Sequence, residues 1–87
     1  MIILNQYNGS KINLDFQDGN LHEVLSRISE TARKDGVNIL VDRRIKGRIT
    51  LKLDEQWNHI LVEILAGLNF PAVIERNTII ISLPQRG

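Results

Sequence analysis

The chain has 87 residues, a mass of 9.9 kDa, 43% hydrophobic and 24% charged residues, and a net charge of +1. This is one small globular domain: it is too apolar for a disordered tail and lacks the run of roughly 20 apolar residues that a membrane-spanning helix needs. The absence of cysteine excludes a disulfide framework, a thiol nucleophile and a cysteine-ligated zinc site, and the near-neutral charge gives no global pull toward nucleic acid or anionic lipid.

Met1 to Leu4 lack the basic start and cleavage site of a signal peptide, and the polar end at Leu83 to Gly87 stops abruptly, so the chain is expected to be a module of a longer protein. Residues 1–10 read as a weakly patterned lead-in. Lys11 to Gln17 then alternates, with Ile12, Leu14 and Phe16 on one face, which predicts a half-buried strand. Asp18-Gly19-Asn20 reads as a turn. Asn20 is a suitable N-cap, and Glu23 is placed to complete a capping box. Leu21, Val24, Leu25, Ile28 and Ala32 recur at helical spacing, so a helix is expected over Leu21 to Lys34, closed by Gly36 in a left-handed conformation.

A short strand follows at Asn38 to Asp42, then a turn over Arg43 to Gly47. Arg48 to Asp54 alternates again, with Ile49, Leu51 and Leu53 inward. Asp54 reads as the N-cap of a second helix, whose stripe is Trp57, Ile60, Leu61, Ile64, Leu65 and Leu68. Gly67 either allows close packing or marks fraying. Asn69 and Pro71 end the helix. Ala72 to Glu75 and Thr78 to Leu83 form a final hairpin, with Asn77 suited to the positive φ of its turn. The order is β-α-β-β-α-β-β, an α+β domain. Its two strand–helix units repeat at an offset of 36–37 residues, Ile12-Leu14-Phe16 answering Ile49-Leu51-Leu53. The expected core is Ile12, Leu14, Phe16, Leu21, Val24, Leu25, Ile28, Ile49, Leu51, Leu53, Trp57, Ile60, Leu61, Ile64 and Leu65.

Nothing in the sequence assembles into catalytic chemistry. His22 and His59 each stand near a helix start, off the apolar stripe, where a solvated side chain is the ordinary reading. A nucleophile and an oxyanion site are missing, ligand spacing for a metal is absent, and the six glycines form no phosphate loop. No catalytic residue, cofactor, metal or small-molecule substrate is therefore expected.

Two features could carry binding. Arg43, Arg44, Lys46, Arg48 and Lys52 lie within ten residues that contain no acid, so that segment carries +5 and the remainder −4. This is either a solvated turn or a surface contacting DNA phosphates or an acidic protein, with Arg43, Arg44, Lys46 and Arg48 as contacts. No aromatic interleaving or G-x-x-G loop accompanies it, so sequence-specific nucleic-acid recognition is not expected. Second, five short strands around two helices leave sheet edges, which are templates for another chain.

The ordered set YNGSKINLDFQDGNLHEVLSRISE, VNILVDRRIKGRITLKL, W-x-x-I-L-x-x-I-L-x-x-L-N-F and RNTIIIS resembles the secretin and TonB N-terminal short domain over about residues 7–83. Within it, Tyr7-x-Gly9-x-Lys11-Ile12, Leu14-Asp15-Phe16-Gln17-Asp18, Lys46-Gly47-Arg48-Ile49-Thr50-Leu51 and Trp57 look most like the type IV pilus secretin, the PilQ family. The resemblance implies two helices between a two-stranded and a three-stranded sheet, with 1–10 as lead-in, 11–84 as the domain and 85–87 as a tail. It implies the periplasmic part of an outer-membrane ring that passes pili, proteins or DNA. The implied partners are the periplasmic domain of an inner-membrane PilP-like protein and neighbouring secretin subunits, with nonspecific DNA contact as an alternative in a competence pore. The other alternative is the signalling domain of a TonB-dependent receptor, which binds an anti-sigma regulator. For partner binding, the outward side of the first and third strands is nominated: Asn13, Asp15, Gln17, Thr50 and Lys52.

Overall fold

In the computed structural model, which describes residues 7–84, the alternating segment that starts at Lys11 forms strand β1 (Lys11–Asn20). Residues 1–6 of the lead-in and the tail at 85–87 lie outside the described residues. The strand runs through the expected turn at Asp18-Gly19-Asn20. At Asp18 the backbone is left-handed (φ 50), and the register slips between Phe16 and Gly19, so that residues 17 and 18 together face Thr50. That is a β-bulge: it kinks the strand without ending it. The Asp18 N–H donates to Thr50 Oγ1 at 2.9 Å, so the displaced amide keeps a partner.

Helix α1 (Leu21–Lys34) has the expected bounds because both of its ends are written locally. Asn20 Oδ1 accepts from the N–H groups of His22 (2.8 Å) and Glu23 (3.4 Å). At the other end Gly36 takes φ 81, the Gly36 N–H donates to Arg33 O, and the Val37 N–H donates to Ala32 O, both at 3.0 Å. This pair of bonds is a Schellman closure, which needs a residue tolerant of positive φ.

Strands β2 (Asn38–Val41) and β3 (Arg48–Gln56), helix α2 (Trp57–Leu68), and strands β4 (Ala72–Glu75) and β5 (Thr78–Ile81) follow. Three local expectations give way here. Asp54 lies inside β3 rather than capping α2, because pairing with β1 continues through Asn13↔Asp54, Ile12↔Glu55 and Lys11↔Gln56. The cap position falls to Gln56, whose side chain makes no capping hydrogen bond; instead the Trp57 N–H donates to Ser10 O at 3.1 Å. In the last hairpin Arg76, not Asn77, carries the positive φ (55), and β5 closes at Ile81 rather than Leu83. Asn69 does end α2, in the left-handed conformation (φ 59, ψ 41). A Cβ at Gly67 would meet nothing within 4 Å, so that glycine serves no close packing.

The two strand–helix units are used symmetrically. Their strands, β1 and β3, pair antiparallel as a two-stranded sheet. The strands after each helix, β2 and β4, flank β5 in a three-stranded sheet, β2 parallel and β4 antiparallel to it. The helices pack on each other, α1 against β1 and β2 and α2 against β3. Trp57, Leu14, Val24, Leu25, Ile28, Ile60 and Leu61 are fully buried between the layers. Ile12, Phe16, Ile49, Leu51 and Leu53, expected in the core, are packed against it but only half-buried: in a sheet of two strands each strand is an edge, open to solvent on one side. The core reaches further on the other side, where Val37, Ile39, Ile45, Ile79 and Ile81 are buried in addition.

The end of the lead-in is stitched to this core. The Tyr7 ring lies 5.5 Å from that of Trp57, Asn58 Nδ2 donates to Tyr7 O at 3.0 Å, and Gly9 is buried against Trp57 and Asn58.

Candidate interaction surfaces

The five residues nominated for partner binding all lie on the two-stranded sheet. Cross-strand partners share a face, so the pairs Asn13↔Asp54 and Asp15↔Lys52 place Asn13, Asp15, Lys52 and Asp54 together on the side away from the helices, all exposed. Gln17 and Thr50 meet at the bulge. Gln17 is exposed, whereas Thr50 Oγ1 is already engaged by the Asp18 N–H. The inner face of the same sheet is held by packing, including the Arg27 guanidinium 5.7 Å from the Phe16 ring centroid. The outer face thus presents acid, amide and base on a rigid two-stranded ladder.

The basic segment does not stay together. Arg44 folds back on Asp42: Nη2 donates to Oδ2 at 2.8 Å and Nε to Oδ1 at 3.1 Å, while the Arg44 N–H also donates to Oδ1 at 2.9 Å. These hydrogen bonds, the side-chain ones foremost, pull the Asp42 carboxyl down to about 2. Lys52 stands on the outer sheet face opposite Asp15. Arg43, Lys46 and Arg48 converge instead with His22, from the first turn of α1, around an open hollow of about 540 Å³ backed by buried Ile45. His22, read from sequence as an isolated first-turn residue, is therefore part of a basic cluster. Only contact between α1 and the distant 43–48 loop reveals it, and no local pattern could.

A third surface was not legible as a surface. The outer face of the three-stranded sheet carries Leu40 (56% exposed), Ile80 and Val73 (55% exposed) side by side, because Leu40 and Val73 both pair with Ile80. Burial alternates along these strands, with Ile39, Ile79 and Ile81 buried and Leu40, Ile80 and Val73 turned outward. The sequence does not state the order of the strands.

No family model matches the sequence, and no curated protein matches it. Among solved structures, the chain is similar to the structure of XcpQN012, with a TM-score of 0.62 and 18% identity over 90% of this chain and 38% of that one. It is also similar to a dimer mutant from the N-terminal domain of the secretin XcpQ from Pseudomonas aeruginosa, with a TM-score of 0.55 and 23% identity over 84% of this chain and 34% of that one. The chain thus spans little more than a third of the length of either structure, and at these identities what is shared is the fold.

Proposed function

We propose that this domain is a periplasmic interaction module of an outer-membrane secretin and that it acts by binding rather than by catalysis. The fold shared with the N-terminal domain of the secretin XcpQ carries the reading. The sequence resemblance to the short domain of pilus secretins points to type IV pilus biogenesis or DNA uptake as the system. Its partner on this reading is the periplasmic domain of an inner-membrane PilP-like protein, with neighbouring subunits completing the ring. The docking surface is the outer face of β1 and β3, where Asn13, Asp15 and Lys52 are exposed and supported by paired backbone. A two-stranded sheet also leaves the far edges of both strands open to main-chain hydrogen bonding by a partner strand.

The test is a titration of the ¹⁵N-labelled chain with the periplasmic domain of a PilP-like protein, followed by amide shifts. Shifts confined to residues 11–17 and 49–53, and lost in Asp15→Lys, support the reading. Shifts elsewhere, or none, overturn it. Binding of a periplasmic anti-sigma regulator to the same residues would move the domain to a TonB-dependent receptor.

A further inference from the structure

The basic hollow lies between α1 and the 42–47 loop and reaches the start of β3 at Arg48, and its chemistry differs from that of the sheet face around Asn13, Asp15 and Lys52. Four groups that can donate to an anion line it, His22, Arg43, Lys46 and Arg48, and no carboxylate is among its lining residues. The helix backbone is not the recognising element. The Leu21 N–H is taken by Gly47 O at 2.9 Å, and those of His22 and Glu23 by Asn20 Oδ1. What faces a ligand is therefore side-chain cation and imidazole, with the helix adding only its positive end. Among the described residues the Arg48 side chain has one partner, Asp18, at 3.4 Å between two well-exposed side chains, a contact weak enough to be exchanged for a ligand carboxylate.

We propose that this hollow binds a carboxylate-bearing segment of an acidic protein partner. The distribution of charge selects that ligand over a polyanion. A nucleic acid wants a continuous basic stripe along its phosphates. Here Arg44 is tied to Asp42, Lys52 stands opposite Asp15, and Asp18 sits beside Arg48, so an acid stands beside each of these three basic residues. No aromatic side chain lines it to stack a base. A concave cluster of three cations and an imidazole suits one or two carboxylates, and Arg43 and Arg48 offer the planar fork that pairs with them bidentately. The inference is independent of the secretin reading, because it uses neither Asn13, Asp15 and Lys52 nor the identity of the larger assembly.

The experiment is a titration of the ¹⁵N-labelled 87-residue chain at constant ionic strength with hexaglutamate, inorganic phosphate and a short DNA duplex. With hexaglutamate, saturable shifts are expected at Asn20, His22, Lys46, Gly47 and Arg48. The double variant R43Q/K46Q should weaken binding about tenfold with an unchanged melting temperature, since both side chains are exposed. Asp18→Asn, which removes the competing carboxylate, should tighten it about twofold to fivefold. Three results would overturn the proposal: shifts spread evenly over Lys11, Lys34 and Lys52; affinity unchanged in both variants; or phosphate or duplex binding the same residues as tightly as the peptide.

Discussion

The indole Nε1–H of Trp57 donates to Asp35 Oδ2 at 2.9 Å, joining the start of α2 to the end of α1. Asp35 is an improbable residue at that place for local reasons, since a carboxylate at a helix C-terminus opposes the helix dipole. Its tertiary partners explain it. The same carboxylate accepts from the Ser10 N–H and Ser10 Oγ, both at 2.8 Å, so one side chain gathers the lead-in, α1 and α2. Trp57 is fully buried under this knot. Trp57→Ala should cost roughly 3–5 kcal/mol, a large part of the stability of a domain this size. Trp57→Phe keeps most of the bulk and should cost about 1–2 kcal/mol through the lost bond. Thermal melts of the two variants check this, and near-equal losses would show that packing at Trp57 matters less than its hydrogen bond.

Gly9 tests whether the lead-in belongs to the folded unit. A Cβ on Gly9 would fall 2.6 Å from Trp57 Nε1 and closer still to Asn58 Oδ1, and neither side chain has room to retreat from the core. Gly9→Ala should therefore displace residues 7–10 or strain α2, at roughly 1–3 kcal/mol. The expected readout is a lowered melting temperature with loss of amide-exchange protection at Trp57. A variant as stable as the parent would mean that the lead-in folds away without cost.

Acid should act on two carboxylates, Asp42 and Asp35. Asp42 is held down to about 2 by its hydrogen bonds to Arg44, and Asp35 is held below its ordinary 3.8 chiefly by the Ser10 N–H, then by Ser10 Oγ and Trp57. A depressed folded value means that the stabilisation is complete above the unfolded value near 3.8 and disappears as pH falls through the folded one. Both groups thus favour the fold at neutral pH; the Asp42 contribution is lost between about pH 4 and 2, and that of Asp35 as pH falls below 3.8. Trp57 is the only tryptophan, so its emission reports Asp35 directly. Asp35→Asn should abolish the acid change in emission while keeping the fold. Arg44→Ala should return the Asp42 carboxyl toward 3.8 in a ¹³C NMR titration. An acid transition unchanged by Asp35→Asn would show that Trp57 senses something else.

The contrast between the two helices shows where the sequence speaks. Helix α1 was legible at both ends because Asn20 and Gly36 act on neighbours a few residues away. Helix α2 was not legible at its start, because its first amide is satisfied by Ser10, far back in the chain, and β1 pulls Asp54 into the ladder. Ile45 shows the same limit within the core. It lies in a basic loop with no periodicity, yet it is 1% exposed, held there by a turn in which its N–H donates to Asp42 O at 3.0 Å. The candidate surfaces divide likewise. Asn13, Asp15 and Lys52 follow from alternation alone. The basic run, continuous in sequence, is split three ways by folding and gains His22, which only the contact between α1 and the 42–47 loop could place there.

The β4–β5 turn offers a prediction of opposite sign. Glu75 and Thr78 are cross-strand partners, so Arg76 and Asn77 form a two-residue loop, and Arg76 holds φ 55 with its side chain exposed. A left-handed conformation costs a residue with a Cβ about 1–2 kcal/mol, and glycine escapes it. No ion pair involving Arg76 forms among the described residues to offset that cost. Glycine also loses more backbone freedom on folding, which returns part of the gain. Arg76→Gly should therefore stabilise the domain by roughly 0.5–1 kcal/mol, about 2–8 °C in melting temperature for a chain of this length. Asn77→Gly gains no such relief, because Asn77 is not at positive φ, and should lower stability through the unfolded chain. Melts of the two single variants should move in opposite directions. If both fall, the strain at Arg76 is smaller than the entropy that glycine adds to the unfolded state.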